Sequence, residues 1–252
     1  MMGAKTQSID SWLKAHATHQ PNHPAVHFEG HTWTYRAFSD WVEQVAVALQ
    51  HSLGMKRGDR VAYYGKNCDT EVALFFACAR LGLIIVPLNW RLVPAELNYI
   101  LGDSGAKVLF HDDNFLDQVP AALDGLATLA VNTSDRLDAL IDKSQGLAVA
   151  TDADLSDPMF IVYTSGTTGR PKGAVLTQES ILWNAIISVH AHDFTPADHI
   201  LNMLPLFHVG GINIQMMPCF FIGGTMTLHP AFDADETIRA LEYQGITTTV
   251  CV

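Results

Sequence analysis

A glycine- and hydroxyl-rich loop with one lysine is the stretch of this sequence best suited to chemistry. It covers residues 163–173 and reads YTSGTTGRPKG. Its glycines let the backbone approach a ligand closely, and its serine and threonine hydroxyls supply short hydrogen-bond donors. Lys172 adds a compact positive charge. Such a set of donors predicts a site for the phosphates of a polyphosphate ligand.

The apolar stretches on the two sides of this loop, 159–163 and 174–176, predict β-strands. The loop does not fit the pattern of P-loop NTPases, because the position five residues after Gly166 is Pro171 and not a second glycine. Pro171 also disfavours a helix at the preceding residue, so no helix N-terminus is expected directly after the loop. We therefore expect phosphate binding by the loop's own amides and hydroxyls and by Lys172.

Composition and charge predict a globular protein that does not bind nucleic acid. The chain has 252 residues, of which 48% are hydrophobic and 16% charged, enough for a sizeable core. Its net charge of -11 argues against binding to nucleic acid or to anionic membranes, which requires a basic surface. The cysteines are widely spaced without a C-x-x-C pair, which predicts buried, reduced thiols. They are Cys68, Cys78, Cys219 and Cys251.

Neither a secretory signal nor a membrane span is expected. Residues 1–23 are polar and contain no apolar segment of signal-peptide type, so a cytoplasmic location is the default expectation. The most apolar stretch, 72–88, is interrupted by Arg80 and Pro87 and is too short for a bilayer.

Apolar periodicity and turn residues predict alternating helices and strands, hence an α/β fold in which helices pack on mostly parallel sheets. A hairpin is expected over 25–34. The other predicted strands cover 60–64, 83–88, 107–111, 127–131, 159–163, 200–204, 225–229 and 246–252. The principal predicted helices cover 35–53, 69–81, 94–103, 114–123, 136–143, 178–192, 209–222 and 234–244.

The weakly periodic stretch 144–158 is the best internal boundary in the sequence. It predicts a first α/β subdomain over 1–157 and the start of a second, carrying the phosphate loop, over 158–252. The last predicted strand continues to the end of the chain, so we expect the sequence to be the N-terminal portion of a longer protein.

A second motif, LPLFHVGG at 204–211, follows the phosphate loop. The two motifs in this order resemble the adenylate-forming superfamily, which includes acyl-CoA synthetases, nonribosomal peptide adenylation domains and firefly luciferases. The segments PLNWRL at 87–92, ELNYIL at 96–101 and DSGAK at 103–107 resemble the acyl-CoA synthetase branch in particular. The resemblance spans nearly the whole chain and implies the N-terminal part of that family's large domain.

The resemblance implies an acid–thiol ligase, the fatty-acid–CoA ligase type, that activates a fatty or aryl carboxylate. The enzyme would use ATP with Mg²⁺, form an acyl-adenylate and pass the acyl group to CoA. The implied nucleotide-binding residues are Thr164, Ser165, Gly166, Thr167, Thr168, Gly169 and Lys172. Arg170 occupies a variable position and is left out.

The second motif is implied to lie at the substrate pocket. In the family, the histidine that matches His208 is near the acyl group and the nucleotide, and Gly210 and Gly211 would permit close approach. The apolar helix after it would be core first and pocket wall second. One departure from the family is Gln178, where many members carry histidine.

Several parts of the family's active site have no counterpart before Val252. They are the later acidic motif, the aspartate that holds the ribose, the hinge, and the C-terminal domain with its catalytic lysine. No complete catalytic set is therefore expected in this chain, which alone should be inactive. Lys172 belongs to the phosphate loop and does not replace the missing lysine.

Two other functions remain open at this point. One is an amino-acid-activating domain that loads a carrier protein, and the other is a non-catalytic binding protein that keeps the fold. The expected partners are the carboxylic acid and CoA, and a homodimer, the acyl chain length and the thiol acceptor are left open.

No metal site built from protein ligands is expected. His190 and His192 are two apart on a predicted helix and do not share a face. The histidines between 16 and 31 are interrupted by Pro21 and Pro24. For the pair Asp112 and Asp113, a capping or turn role is favoured over a paired-carboxylate site.

Overall fold

The computed structural model describes residues 8–119, 126–130, 134–164 and 170–250. Its α-helices are α1 (Ser11–His19), α2 (Tyr35–Val47), α3 (Asp69–Leu81), α4 (Pro94–Ser104), α5 (Ser134–Lys143), α6 (Gln178–His192), α7 (Met217–Ile222) and α8 (Ala234–Tyr243). Its strands are β1 (Pro24–Phe28), β2 (His31–Thr34), β3 (Arg60–Tyr64), β4 (Ile84–Leu88), β5 (Val108–His111), β6 (Ala127–Ala130), β7 (Pro158–Thr164), β8 (Lys172–Thr177), β9 (His199–Asn202), β10 (Thr225–Leu228) and β11 (Thr248–Thr249). Short π-helices at Ala48–Ser52 and Gly210–Met216 and a 3₁₀-helix at Asp113–Gln118 complete the described elements.

The chain divides into two compact units, each built from segments that are separate in sequence. The first unit comprises Met1–Ile9, Val42–Gly65 and Ala73–Gln178. The second comprises Asp10–Trp41, Lys66–Val72 and Glu179–Val252. The boundary between residues 157 and 158 stays a prediction about the organisation of the whole protein.

The first unit contains a six-stranded sheet in the order β6-β5-β3-β4-β7-β8. All neighbouring strands are parallel except β7 and β8, which are antiparallel. The central strands are almost wholly buried, as expected for parallel strands covered on both faces. The predicted mostly parallel α/β architecture is confirmed in this unit.

The second unit contains a five-stranded sheet in the order β11-β9-β10-β1-β2. β1 and β2 form the predicted hairpin, and the other pairs are parallel. The hairpin turn places Glu29 and Gly30 at φ of 45° and 80°, which is the conformation that a tight hairpin turn demands. The hydroxyl of Thr34 accepts a hydrogen bond from the amide of Ala37 (3.2 Å) and so caps the start of α2.

Two of the predicted helices are not α-helical over their whole length. The helix predicted over 35–53 leaves α geometry after Val47, and the π-helix that follows carries Gln50, whose side-chain amide exchanges two hydrogen bonds with the backbone of Ala150 (2.6 and 2.9 Å). The helix predicted over 209–222 is a π-helix followed by α7. Pro218 lies in the first turn of α7, where its missing N–H group is not needed.

The helix predicted over 114–123 is only a 3₁₀-helix within the described residues. It ends at Gln118, and the next residue, Val119, has a ψ of 129°, the extended conformation expected of a residue before proline. Asp112 caps this element by accepting from the amide of Asn114 (2.8 Å), which confirms its predicted capping role.

The described part of the chain also bears on the other predicted features. Cys78 and Cys219 are buried and free, Cys68 is half-buried, and Cys251 lies outside the described residues. In the same described ranges, no cluster of three or more His, Cys, Asp or Glu side chains is arranged to hold a metal ion. None of the described helices combines the length and apolar character needed to cross a bilayer.

The contact of Phe160 with Phe75 in the first unit predicts a large loss of stability on truncation. Phe160 on β7 is fully buried, and its ring lies edge-on to that of Phe75 with 5.0 Å between centroids. Phe160→Ala should lower the free energy of unfolding by about 3–5 kcal/mol, because it leaves a cavity. Val175→Ala on the paired strand β8, where the side chain is 58% exposed, should change it by less than about 0.5 kcal/mol. Urea unfolding of both variants tests this, and equal losses would contradict the assigned core.

Glu71 in the second unit predicts a pH-dependent stability. Its side chain is buried, its Oε2 atom has no hydrogen-bond partner among the described residues, and burial raises its pKa well above the usual value. Because the folded pKa exceeds the unfolded one, stability is greatest below the unfolded pKa and declines as pH rises from there to the folded pKa. Glu71→Gln should therefore be more stable than the wild type at neutral pH, with a smaller decline between pH 4.5 and neutral pH. Thermal unfolding across this range checks the result, and parallel pH profiles would contradict it.

Candidate functional site

The predicted phosphate loop connects two strands, as the sequence predicted, and these strands pair antiparallel. β7 and β8 pair so that Thr164 lies opposite Lys172 and Tyr163 lies opposite Gly173. Both Thr164 and Lys172 are exposed. The remaining predicted loop residues, Ser165, Gly166, Thr167, Thr168 and Gly169, lie outside the described residues. The described part of the site is therefore the base of the loop, where a hydroxyl and an ammonium group stand on adjacent strands.

The sheet determines the edge at which this loop emerges. β7 runs parallel to β4, with Phe160 opposite Ile85, and β4 runs parallel to β3. The carboxyl ends of these three strands therefore meet at one edge, and Thr164 ends β7 there. Open α/β sheets bind their ligands at this edge.

A tyrosine supports the base of the loop. The hydroxyl of Tyr163 donates to Asp103 Oδ2 (2.6 Å). Burial, followed by the hydrogen bond and the negative charge of Asp103, raises the pKa of Tyr163, so the phenol stays protonated and remains a donor. A methyl group at Gly173 would lie 2.5 Å from Ile161 Cγ2 and 3.1 Å from the Tyr163 ring, so a residue without a side chain is required there.

Arg170, which sequence reasoning left out, is held beside the loop by a ring. Its guanidinium carbon lies 5.9 Å from the centroid of Tyr99 on α4, within the range of a cation–π interaction. The sequence contained only an indirect signal for this contact: Tyr99 belongs to the 96–101 segment, which contributed to the family resemblance. Within the described ranges, the Lys172 ammonium forms no ion pair with a carboxylate, so its charge is available to an anion.

Gln178, the departure from the family pattern, has a structural role in this chain. Its side chain is fully buried. Its Oε1 atom accepts from the amide of Ile9 (2.7 Å), and its Nε2 atom donates to the carbonyl of Ala79 (2.9 Å). The glutamine thus satisfies a backbone donor and a backbone acceptor within the first unit, directly after β8.

In the second unit, the predicted substrate-pocket histidine has a defined ring orientation. The amide of Gly210 donates to His208 Nδ1 (3.0 Å), and the His208 side chain is exposed. Because Nδ1 is an acceptor, the neutral imidazole carries its proton on Nε2. His208 therefore offers an N–H group to a ligand.

Gly211 is required by a close approach of two backbone segments. A methyl group at this position would lie 2.8 Å from the carbonyl oxygen of Leu204 and closer still to that of Pro205. No side chain can be accommodated there without moving the backbone. At Gly210, a methyl group would lie 3.3 Å from His208 Nδ1, which is a tight but lesser constraint. The sequence predicted that both glycines permit a close approach. In the structure, the atoms that come close to them belong to the 204–211 motif itself.

Two buried amide side chains that sequence reasoning missed hold this motif. Asn202 is fully buried, donates to the carbonyl of Gly211 (3.0 Å) and accepts from the amide of Leu204 (3.2 Å). Asn67, 5% exposed, donates to the carbonyl of Leu204 (3.0 Å). Asparagine is common in turns, and nothing in the local pattern around either residue identifies its distant partner.

A cavity of about 790 Å³ lies elsewhere in the second unit. Its walls include His27, His199 and His229, but none of the predicted site residues. The rings of His27 and His199 are 5.3 Å apart, and burial lowers the pKa of both. The cavity is therefore not assigned to the candidate site.

The candidate groups of each unit, taken separately, offer different chemistry. The first unit presents exposed donors, Thr164 and Lys172, at the base of a loop whose composition suits an anion. The second presents the Nε2–H group of His208. The exposed groups of the first unit suit an anion, and the N–H group of His208 suits an oxygen acceptor.

The chain is similar to known proteins over nearly its full length. The profile of AMP-binding enzymes matches residues 13–252. An indoleacetate–CoA ligase from Aromatoleum aromaticum is 41% identical over 253 residues, covering 97% of this chain and 49% of the relative. The chain spans about half the length of the curated relatives that it matches.

Solved structures show the same fold. The inhibitor-bound N-terminal domain of FACL13 from Mycobacterium tuberculosis superposes with a TM-score of 0.87 at 30% identity, covering 97% of this chain and 62% of that one. The O-succinylbenzoate coenzyme A synthetase of Bacillus subtilis, in complex with ATP and a magnesium ion, gives 0.80 at 26% identity, covering 94% and 62%.

These matches confirm the resemblance inferred from the two motifs, including its acyl-CoA synthetase branch. They also agree with the expectation of an N-terminal portion, since relatives extend to about twice the length. With a family match over almost all of its residues, the chain belongs to the AMP-binding enzyme family.

Proposed function

We propose that this chain is the phosphate-binding N-terminal portion of an acid–thiol ligase. The whole enzyme activates a fatty or aryl carboxylate with ATP to an acyl-adenylate and then transfers the acyl group to CoA. The observation that carries the proposal is the β7–β8 hairpin, which sets Thr164 opposite Lys172 at the base of the predicted phosphate loop. The residues Ser165, Gly166, Thr167, Thr168 and Gly169 complete the proposed nucleotide site.

The first step explains the need for such a loop. A carboxylate oxygen bonds to the α-phosphorus of ATP, and the bond between that phosphorus and the bridging oxygen breaks to release pyrophosphate. Negative charge builds on the departing phosphates, where fixed donors are most effective. Lys172 and the hydroxyl of Thr164 supply such donors, and the pairing of the two strands positions both residues before the reaction. In the second step, the CoA thiol attacks the acyl carbon and AMP leaves.

Magnesium and CoA belong to the proposal for the whole enzyme. Mg²⁺ would reduce the charge of the phosphates and so lower the cost of nucleophilic attack. We assign no described residue to hold Mg²⁺ or CoA. In this proposal, the chain binds the phosphates of ATP and forms part of the acyl site.

His208, Gly210 and Gly211 form the proposed acyl side of the site. The fixed Nε2–H group of His208 can donate to an oxygen of the acid or of its adenylate. Gly211 allows the backbone to approach the carbonyl groups of Leu204 and Pro205 closely, and His208 is exposed between them. His208 therefore orients the reacting carboxylate in this proposal.

The relative with 41% identity favours an aryl acid as the first class of substrate to test. Its name assigns it indoleacetate, an acid with an aromatic ring. Fatty acids stay within the proposal, and amino acids are the alternative class. A homodimer, a cytoplasmic location and subdomains over 1–157 and 158–252 stay predictions.

Removing the phosphate-loop donors should abolish most adenylation activity. In the native enzyme that contains this chain, Lys172→Ala combined with Thr167→Val should lower ATP–pyrophosphate exchange by about a hundredfold or more, because two donors to the leaving group are lost. Lys143→Ala, which removes the charge of an exposed lysine on α5, is the matched control and should leave the exchange rate unchanged. Normal exchange in the loop variant would overturn the assignment.

His208 should affect the acid more than the nucleotide. His208→Ala should lower kcat/KM for the preferred acid by about tenfold or more, with a smaller change in the KM for ATP, because it loses a donor to the acyl side. His190→Ala, at an exposed histidine on α6, is the control. Initial rates with a panel of aryl, fatty and amino acids provide the measurement. A loss confined to the KM for ATP would contradict the acyl role.

A further inference from the structure

The segment 204–211, called here the His208 segment, is held by side chains that lie outside it. It follows β9, which ends at Asn202, while the loop that starts at His229 follows β10. β9 and β10 are parallel neighbours, so both loops leave the same edge of the sheet. Asn67 hydrogen-bonds to both loops.

The carboxamide of Asn67 is fully used in this contact. Its Nδ2 atom donates to the carbonyl oxygens of Leu204 (3.0 Å) and His229 (3.1 Å), and its Oδ1 atom accepts from the amide of Leu206 (2.9 Å). Its backbone amide donates to Pro230 (3.1 Å). A carboxamide has two donors on one atom and an acceptor on the other, and all three functions are matched here.

The far end of the His208 segment is fixed by Asn202. This residue accepts from the amide of Leu204 and donates to the carbonyl of Gly211, and so ties the first and last parts of the segment together (3.2 and 3.0 Å). Gly211 allows the necessary close approach to Leu204 and Pro205. His208 lies at the middle of this closed segment, and its Nδ1 atom accepts from Gly210.

We infer that Asn67 is a positioning residue that sets the ring orientation and tautomer of His208 by holding the His208 segment to the loop after β10. Asn67 acts on His208 only through the backbone of Leu204 and Leu206. The consequence for catalysis rests on the proposed function, but the positioning itself does not.

Asn67→Asp is the most direct test. The substitution keeps the shape and the acceptor for Leu206, but it turns both donors into an oxygen that faces two carbonyl oxygens, with loss of two partly buried hydrogen bonds. In the 252-residue chain, the amide of Gly210 should exchange with solvent about tenfold faster or more. The neutral imidazole of His208 should change from the Nε2–H tautomer to a mixture, read from its ¹⁵N chemical shifts.

Gln20→Glu is the matched control. Gln20 also donates its side-chain amide to a backbone carbonyl in the second unit, that of Gly223 (2.8 Å), but it does not touch the His208 segment. This variant should change neither the His208 tautomer nor the exchange of Gly210. If Asn67→Asp folds and leaves both quantities as in the wild type, or if Gln20→Glu shifts them equally, the inference is overturned.

A measurement on the unmodified chain decides the case if Asn67→Asp fails to fold. The amide of Leu206, which donates to Asn67, and that of Gly210 should open together, so their protection factors should agree within about threefold. A Gly210 amide that is about tenfold less protected than that of Leu206 would show that the segment opens while Asn67 stays bonded, and would overturn the inference. None of these readouts uses substrate, so they remain valid even if the proposed reaction is wrong.

Discussion

The antiparallel pairing of β7 and β8 is the constraint on which the candidate site depends. β7 belongs to a parallel sheet and ends at its carboxyl edge, and β8 returns beside it with Lys172 opposite Thr164. A parallel connection would have required a crossover of a dozen residues or so and a helix, whereas an antiparallel one can be a short loop. Thr164 and Lys172 are therefore placed by the backbone hydrogen bonds of two adjacent strands. Tyr163 donates a hydrogen bond to Asp103 and its ring lies next to Gly173, and both contacts stabilise the base of the loop.

In the second unit, the segment that carries His208 is held in place by side-chain hydrogen bonds and not by strand pairing. There the loop with His208 has no partner strand, so buried amides and a glycine replace the ladder of backbone hydrogen bonds. Asn202 and Asn67 satisfy backbone groups that would otherwise be buried without partners, which is costly in a protein interior. As a result, the Nδ1 atom of His208 accepts a hydrogen bond from Gly210, and its Nε2–H group can donate to a ligand. Each unit thus holds one polar element in place, and such preorganisation is what the proposed adenylation would require.

What could be predicted from the sequence was local. The apolar runs around the phosphate loop predicted β7 and β8, and Pro171 excluded a following helix, because these effects act over a few residues. The contacts of Asn67 with Leu204 and of Gln178 with Ala79 could not be predicted, since the partners are 137 and 99 residues apart. The π-helix at Gly210–Met216 was also missed, because apolar spacing alone does not distinguish a widened turn from an α-helix. The roles of the loop residues came from the family resemblance and not from periodicity.

The most direct test of the central claim is to titrate the ¹⁵N-labelled chain with magnesium pyrophosphate and follow its backbone amides. The claim is that the loop between β7 and β8 binds the phosphates of ATP. It predicts that chemical-shift changes concentrate in residues 164–173 and that they disappear in Lys172→Ala. The amides around the 790 Å³ cavity of the second unit should not respond. Shifts that avoid the loop, or that persist unchanged without Lys172, would contradict the account.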